Sequence, residues 1–237
     1  MRNLLMAAAI ASLAGVASAD VYMDTAGDLN ASFVDGGGVP FAHLDITQVE
    51  ITNDANFLYI DISVAGDIDA TNWGKYLVGF DMGSGTTSTS GGWGRNISWG
   101  SGIDYFIGGW ADEGGSGVGA ELRNFDGAAW NVTDATYLGG GLIMGDDSAH
   151  AAGVQSYIVS LAALGLSVGD TFGFDVATTG GGGGDPGVDM LSLAGEATPD
   201  WGTGSTSGAF LSYTVIPTPS SLALLGLGGL VAGRRRR

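Results

Sequence analysis

The chain has 237 residues, carries 25 acidic against eight basic side chains for a net charge of −17, and contains no cysteine. Its Lys and Arg are too few to neutralise a phosphate backbone, which excludes nucleic-acid binding, and its core must hold without disulfides. The 44 glycines, and 21 aspartates against four glutamates, favour turns over helices, so an all-β chain with many tight turns is expected.

In chain order, Arg2 is a minimal positive n-region, Leu4 to Val16 is an apolar h-region, and Ala17-Ser18-Ala19 is an A-x-A cleavage site. Residues 1–19 therefore read as a secretory signal helix taken by Sec-type export machinery, with Asp20 as the first mature residue. Arg2 and Arg234 to Arg237 supply five of the eight basic residues. Between them only Lys75, Arg95 and Arg123 face all the acids, which disfavours an anionic membrane as a partner of the cargo. Such a surface suits solubility in salt water or calcium binding.

Residues 20–215 read as one domain of short strands. Asp24 to Asp28 and Asp35 to Gly38 are turns of an N-terminal leader. Leu44 to Thr52 alternates with one slip at Thr47-Gln48 that a bulge would absorb. Asn53 to Asn56 is a turn, and Phe57 to Val64 then alternates cleanly, which predicts a hairpin. Further strands are expected at Tyr76 to Asp81, Ile103 to Ile107, Ala120 to Phe125, Val154 to Val159, Thr171 to Val176 and Ala209 to Val215. Ser160 to Leu164 reads as one helical turn stopped by Gly165, and Gly83 to Gly92 and Gly180 to Gly187 as loops. The pattern predicts a two-sheet antiparallel β-sandwich, jelly-roll-like.

The order of these elements resembles the DOMON-like β-sandwiches, which include the family-nine carbohydrate-binding modules. It runs from Asn53-Asp54-Ala55-Asn56 into Phe57-Leu58-Tyr59-Ile60-Asp61-Ile62, then through Ile103-Asp104-Tyr105 and Trp130 to Val154–Val159. The resemblance covers most of residues 28–215 as a pattern of strands and turns, without a diagnostic motif. It implies a sandwich that in relatives binds sugars, haem or nothing known. Haem is poorly supported, because His43 and His150 have no evident axial partner; both read as loop or core histidines.

Six tryptophans are many for one small domain, and Trp offers flat apolar faces on which sugar rings stack. Trp110 and Trp130 read as structural. Trp93 emerges from a polar glycine-rich loop as Gly92-Trp93-Gly94-Arg95, so Trp93, Arg95 and nearby Trp99 form the expected ligand patch, with Trp73 and Trp201 as further loop candidates. Calcium, which needs closely spaced carboxylates, is the one cofactor suggested, at Asp67 and Asp69 or at Asp185 and Asp189. Solvated turn aspartates compete with that reading at each position. No zinc-type histidine pair or G-x-S-x-G elbow is present, so a non-catalytic protein is expected, with a glycan-active enzyme as the distant alternative.

The chain ends on Pro217-Thr218-Pro219, an apolar run from Leu222 to Ala232, and Arg234-Arg235-Arg236-Arg237. The run is about 16 Å long as a helix at roughly 1.5 Å per residue, short of the ~30 Å hydrocarbon core. This tail resembles the PEP-CTERM sorting signal of bacterial exosortase substrates, with Thr218 where the commonest form has Glu. The resemblance implies that residues 216–237 insert transiently into the inner membrane and are cut by an exosortase-like enzyme. The cargo would then stand at the cell surface or outside the cell, as a polysaccharide-binding protein or as an acidic, calcium-bridged matrix component without a ligand pocket.

Overall fold

A computed structural model describes residues 19–71, 73–111 and 119–217. The expected signal helix, with Ala17, lies outside the described residues, as do the tail residues Thr218, Pro219 and Arg234 to Arg237 and the expected C-terminal helix. In the first half the strands are β1 (Asp20–Met23), β2 (Ile46–Asn53), β3 (Phe57–Val64), β4 (Lys75–Asp81), β5 (Ser88–Ser90), β6 (Ile97–Ile103) and β7 (Tyr105–Trp110). The second half adds β8 (Gly119–Phe125), β9 (Trp130–Ala135), β10 (Ile143–Asp146), β11 (Val154–Ser160), β12 (Thr171–Thr179), β13 (Gly187–Met190), β14 (Ser205–Thr206) and β15 (Leu211–Thr214). Helical structure among the described residues is confined to single 3-10 turns at Ala42–Leu44, Ile68–Ala70, Thr136–Leu138 and His150–Ala152.

The fold is all-β. One antiparallel sheet runs β1-β2-β3-β11-β10; the other runs β13-β12-β4-β7-β8-β9, with β15 on the first half of β12. Their facing sides share one core. Alternation in β3 sends Leu58, Ile60, Ile62 and Val64 inward, where they meet Tyr76, Val78, Phe80, Ile107, Leu122, Phe174 and Val176 from the opposite sheet. The β2–β3 hairpin forms as expected. Asp54 Oδ1 accepts the amides of Asn56 (2.7 Å) and Phe57 (2.8 Å) to close its turn, and the register slips between Ile46 and Gln48. In the turn after β11, Leu164 N donates a hydrogen bond to the Ser160 carbonyl (3.2 Å), and the turn stops at Gly165 with φ +71°.

β5 falls inside the expected loop Gly83 to Gly92, and two further features depart from the expectation. Ile103–Ile107 is not one strand: Asp104 breaks it, donating its amide to Phe80 O (2.9 Å) and accepting Met82 N on Oδ1 (3.0 Å). Second, β4 is apolar on both faces and buried on both, the pattern of a strand covered from two sides. The second cover is a small sheet, β14-β6-β5, whose β14–β6 pair is parallel. Under it, Leu77, Phe106, Ala177 and Met190 pack with Ile97, Trp99 and Ile103.

Candidate ligand cleft and acidic cluster

The small sheet decides the fate of the expected Trp93–Trp99 patch. Trp99 is fully buried on β6 (0% exposed), pressed on Gly79 of β4, where a Cβ would lie 2.8 Å from its ring. Its indole is core and offers no face to a ligand, which corrects the expectation for this residue. Trp93 is half-buried, edge-on to Phe106 (5.9 Å between centroids) and tilted on Trp110 (5.8 Å). Its Nε1 donates to Glu121 Oε2 (2.9 Å), and a Cβ on Gly108 would strike its ring, so glycine makes room for the indole to lie on the outer sheet face. Arg95 sits 5.9 Å over the Trp93 ring, with Nε and Nη1 shut off from solvent and without acceptors. Burial lowers the Arg95 pKa, and the charge of Asp185 works against that shift. Glu121 also receives Arg123 (Nη2 at 2.6 Å) and the Tyr137 hydroxyl (2.7 Å). Burial would raise the Glu121 carboxyl, but its donors outweigh it and hold the group below the usual range. Trp93 is thus tied into a network and has only part of its ring to offer.

The other loop tryptophans come together. Trp73, just before β4, and Trp201, between β13 and β14, stand 6.1 Å apart, and Phe41 lies 5.0 Å from Trp73. They rest on buried Phe33, Leu44 and Val188. With Asp35, Gly36, Gly180, Gly181 and Asp185 they line a cleft of about 450 Å³, within the range of small-ligand sites. The leader forms one wall: a Val34–Pro40 bridge closes its loop, and Asp35 Oδ1 accepts Gly37 N (2.7 Å) and Val39 N (2.9 Å). Those amides hold the Asp35 carboxyl below its usual range. The β12–β13 loop forms the other wall. Asp185 Oδ2 accepts Gly182 N (2.7 Å), while a Cβ on Gly180 would collide with Asp185 and approach Trp201 to 2.7 Å. Behind Trp73, His43 is 5% exposed with its ring 4.7 Å from the indole. Burial pushes its pKa down to about 4, so it is neutral at pH 7.

The expected calcium residues do not converge as spaced in the sequence. Asp67 caps the turn at Ile68–Ala70 by accepting Asp69 N (2.8 Å), and Asp69 lies 3.5 Å from His150 Nδ1. Asp185 lines the cleft. Asp189 instead joins Asp28 and Asp45, with one oxygen of each carboxylate within 4.8 Å of the others. Asp189 accepts Ile46 N (2.7 Å) and Met190 N (2.8 Å), and both oxygens of Asp45 accept Gly27 N (3.0 and 2.8 Å). Asp24 is near enough to act on Asp189. Burial, reinforced by neighbouring carboxylates, raises the pKa of Asp24 to about 7 and of Asp189 to about 8, and raises Asp28 and Asp45 in the same direction.

Sequence reasoning missed this grouping because its members lie in the leader, at the entry to β2 and on β13, more than 140 residues apart at the extremes. The only local signal is the Asp24/Asp28 spacing in the leader. No protein-family model matches the chain, and a search of curated proteins finds no similar sequence.

Proposed function

We propose that this chain is an exported, non-catalytic carbohydrate-binding protein of the bacterial surface or extracellular matrix, with its ligand in the Phe41–Trp73–Trp201 cleft. The observation that carries the reading is the cleft itself: three aromatic rings, a glycine-lined wall and two carboxylates in one concavity. Apolar faces of a sugar ring stack on indole, and its hydroxyls donate to carboxylates such as Asp35 and Asp185. An acidic protein repels polyanions, so the favoured ligand is a neutral polysaccharide. The jelly-roll-like, DOMON-like kinship is part of the same reading, supported by the order of strands from the β2–β3 hairpin to β11. Export and exosortase sorting rest on the signal and tail motifs in the sequence.

The test is affinity electrophoresis of the chain through gels containing neutral or anionic polysaccharides. Retardation by at least one neutral polymer, lost in Trp201→Ala, is expected. No retardation across the panel would remove the carbohydrate reading and favour the second one, an acidic matrix component, for which the Asp28–Asp45–Asp189 grouping is the supporting observation.

A further inference from the structure

We propose that Asp24, Asp28, Asp45 and Asp189 form a calcium site that fastens the N-terminal leader across both sheets of the sandwich. Calcium holds oxygen ligands at about 2.3–2.6 Å, so ligands on opposite sides of one ion are about 5 Å apart. The oxygens of Asp28, Asp45 and Asp189, all within 4.8 Å of one another, fit that span. Magnesium, at roughly 2.0–2.1 Å with near-octahedral demands, needs a tighter set.

Acidic residues alone would not make a site, but the Asp28 carboxylate, packed against Asp45 and Asp189, is not arranged like the turn aspartates of the chain. Asp35, Asp54, Asp126, Asp146 and Asp200 each satisfy an oxygen with backbone amides of their own turn. By contrast, both oxygens of Asp28 are shut off from solvent and accept nothing from another described residue. Asp24 Oδ1 accepts Thr25 N (2.7 Å), but its Oδ2 is shut off from solvent and has no partner among the described residues. An Asp28 oxygen lies within 4.8 Å of oxygens of Asp45 and Asp189, which are 6% and 1% exposed. Asp24 is close enough for its charge to act on Asp189, and none of the four forms an ion pair among the described residues. Buried carboxylate oxygens without donors, facing other buried carboxylates, need a cation or protons to be stable. A divalent ion supplies that charge and uses the free lone pairs.

The placement gives such an ion a structural task. Asp24 and Asp28 belong to the leader, Asp45 enters β2 of one sheet, and Asp189 lies on β13 of the other. Between the β1–β2 pairing and the bonds of Asn30 to Glu196 and Ser32 to Pro199, residues 24–28 are tied by Asp24 N to Thr47 O (3.0 Å) and by Gly27 N to Asp45. One calcium would cross-link three segments that are distant in sequence.

The experiment is a calcium titration of the full chain after stripping with chelator, followed by calorimetry and by thermal melting. One calcium per chain is expected, saturating below about 1 mM as in extracellular modules, with a rise in melting temperature that magnesium does not reproduce. Asp28→Asn is the decisive variant, because the Asp28 carboxylate accepts no hydrogen bond from another residue and its loss should not prevent folding. It should weaken calcium binding about tenfold or more, while Asp67→Asn binds like the parent chain. Without calcium, Asp28→Asn should melt at or above the parent chain, since one repulsive charge is gone; with saturating calcium it should melt below it. The absence of saturable binding, or binding equal in Asp28→Asn and the parent chain, would overturn the proposal. So would a melting temperature that rises on acidification but never with calcium, which would show that protons hold the cluster.

Discussion

Individual side chains carry the sharpest consequences. Trp99 fills the space over Gly79 beneath the small sheet, so Trp99→Ala should cost about 3–5 kcal/mol in a denaturant unfolding experiment. A loss below about 1 kcal/mol would show that the indole is not packed as described. The titrating groups give a pH signature for the metal-free chain. Asp24 and Asp189, at about 7 and 8, bind protons more tightly folded than unfolded, where a carboxyl titrates near 4. Their contribution is greatest in acid and falls as pH rises through those values. His43, at about 4, acts oppositely between pH 4 and 6.5, and Asp175, raised by burial to about 6, partly offsets it. Above pH 6.5 the aspartates remain. Melting in chelator should therefore decline from pH 6.5 to 8, with roughly 1–2 kcal/mol from Asp189 alone; a flat or rising profile would contradict this. At this scale the sequence was a poor guide. Trp93 and Trp99 share a glycine-rich context, and only the alternation of buried Ile97 and Trp99 with Ser98 and Gly100 separates core from surface.

At the scale of elements, legibility depended on how local the determinants were. The β2–β3 hairpin, its bulge and its Asx turn are written in a contiguous stretch with period-two alternation, and they form as expected. The small sheet was hidden because β5 and β14 are only three and two residues of Ser and Thr, β6 is interrupted by glycines, and β14 pairs with β6 across more than 100 residues. Its trace in the sequence is indirect: β4 is too apolar for a strand with one wet face. The last strand has a comparable long-range fastening. Asn53 Oδ1 accepts the Tyr213 hydroxyl (2.8 Å) and Ile216 N (2.9 Å), while its Nδ2 donates to Ile216 O (3.0 Å). Removing that side chain leaves a buried hydroxyl and the end of the strand unpaired, at about 1–3 kcal/mol. Asn53→Ala should accelerate hydrogen exchange across Leu211–Ile216, with the β2–β3 hairpin changed less. Equal acceleration in both would mean that Asn53 acts on the whole fold.

At the scale of the molecule, the leader meets the β12–β13 hairpin twice: it faces the hairpin loop across the aromatic cleft, and its Asp28 joins Asp189 of β13 and Asp45 at the entry to β2 in the acidic cluster. Cleft and cluster are thus assembled from long-range contacts, which is why the fold class was legible in composition and alternation while the sites showed only as scattered candidates, Trp73, Trp201, Asp185 and Asp189. The acidic surface and the terminal motifs suit a protein sent out of the cell. If the chain is exported as proposed, mass spectrometry of protein recovered from outside the cell should find Asp20 at its start and no Arg234 to Arg237 at its end; a retained arginine cluster would show that the tail is not removed. We propose that the cleft, and not the Trp93 loop, holds a glycan. This is tested most directly by calorimetric titration of one neutral polysaccharide into folded Trp201→Ala and Trp93→Ala side by side. Binding lost in Trp201→Ala and kept in Trp93→Ala is the predicted result; binding kept in Trp201→Ala and lost in Trp93→Ala would contradict it.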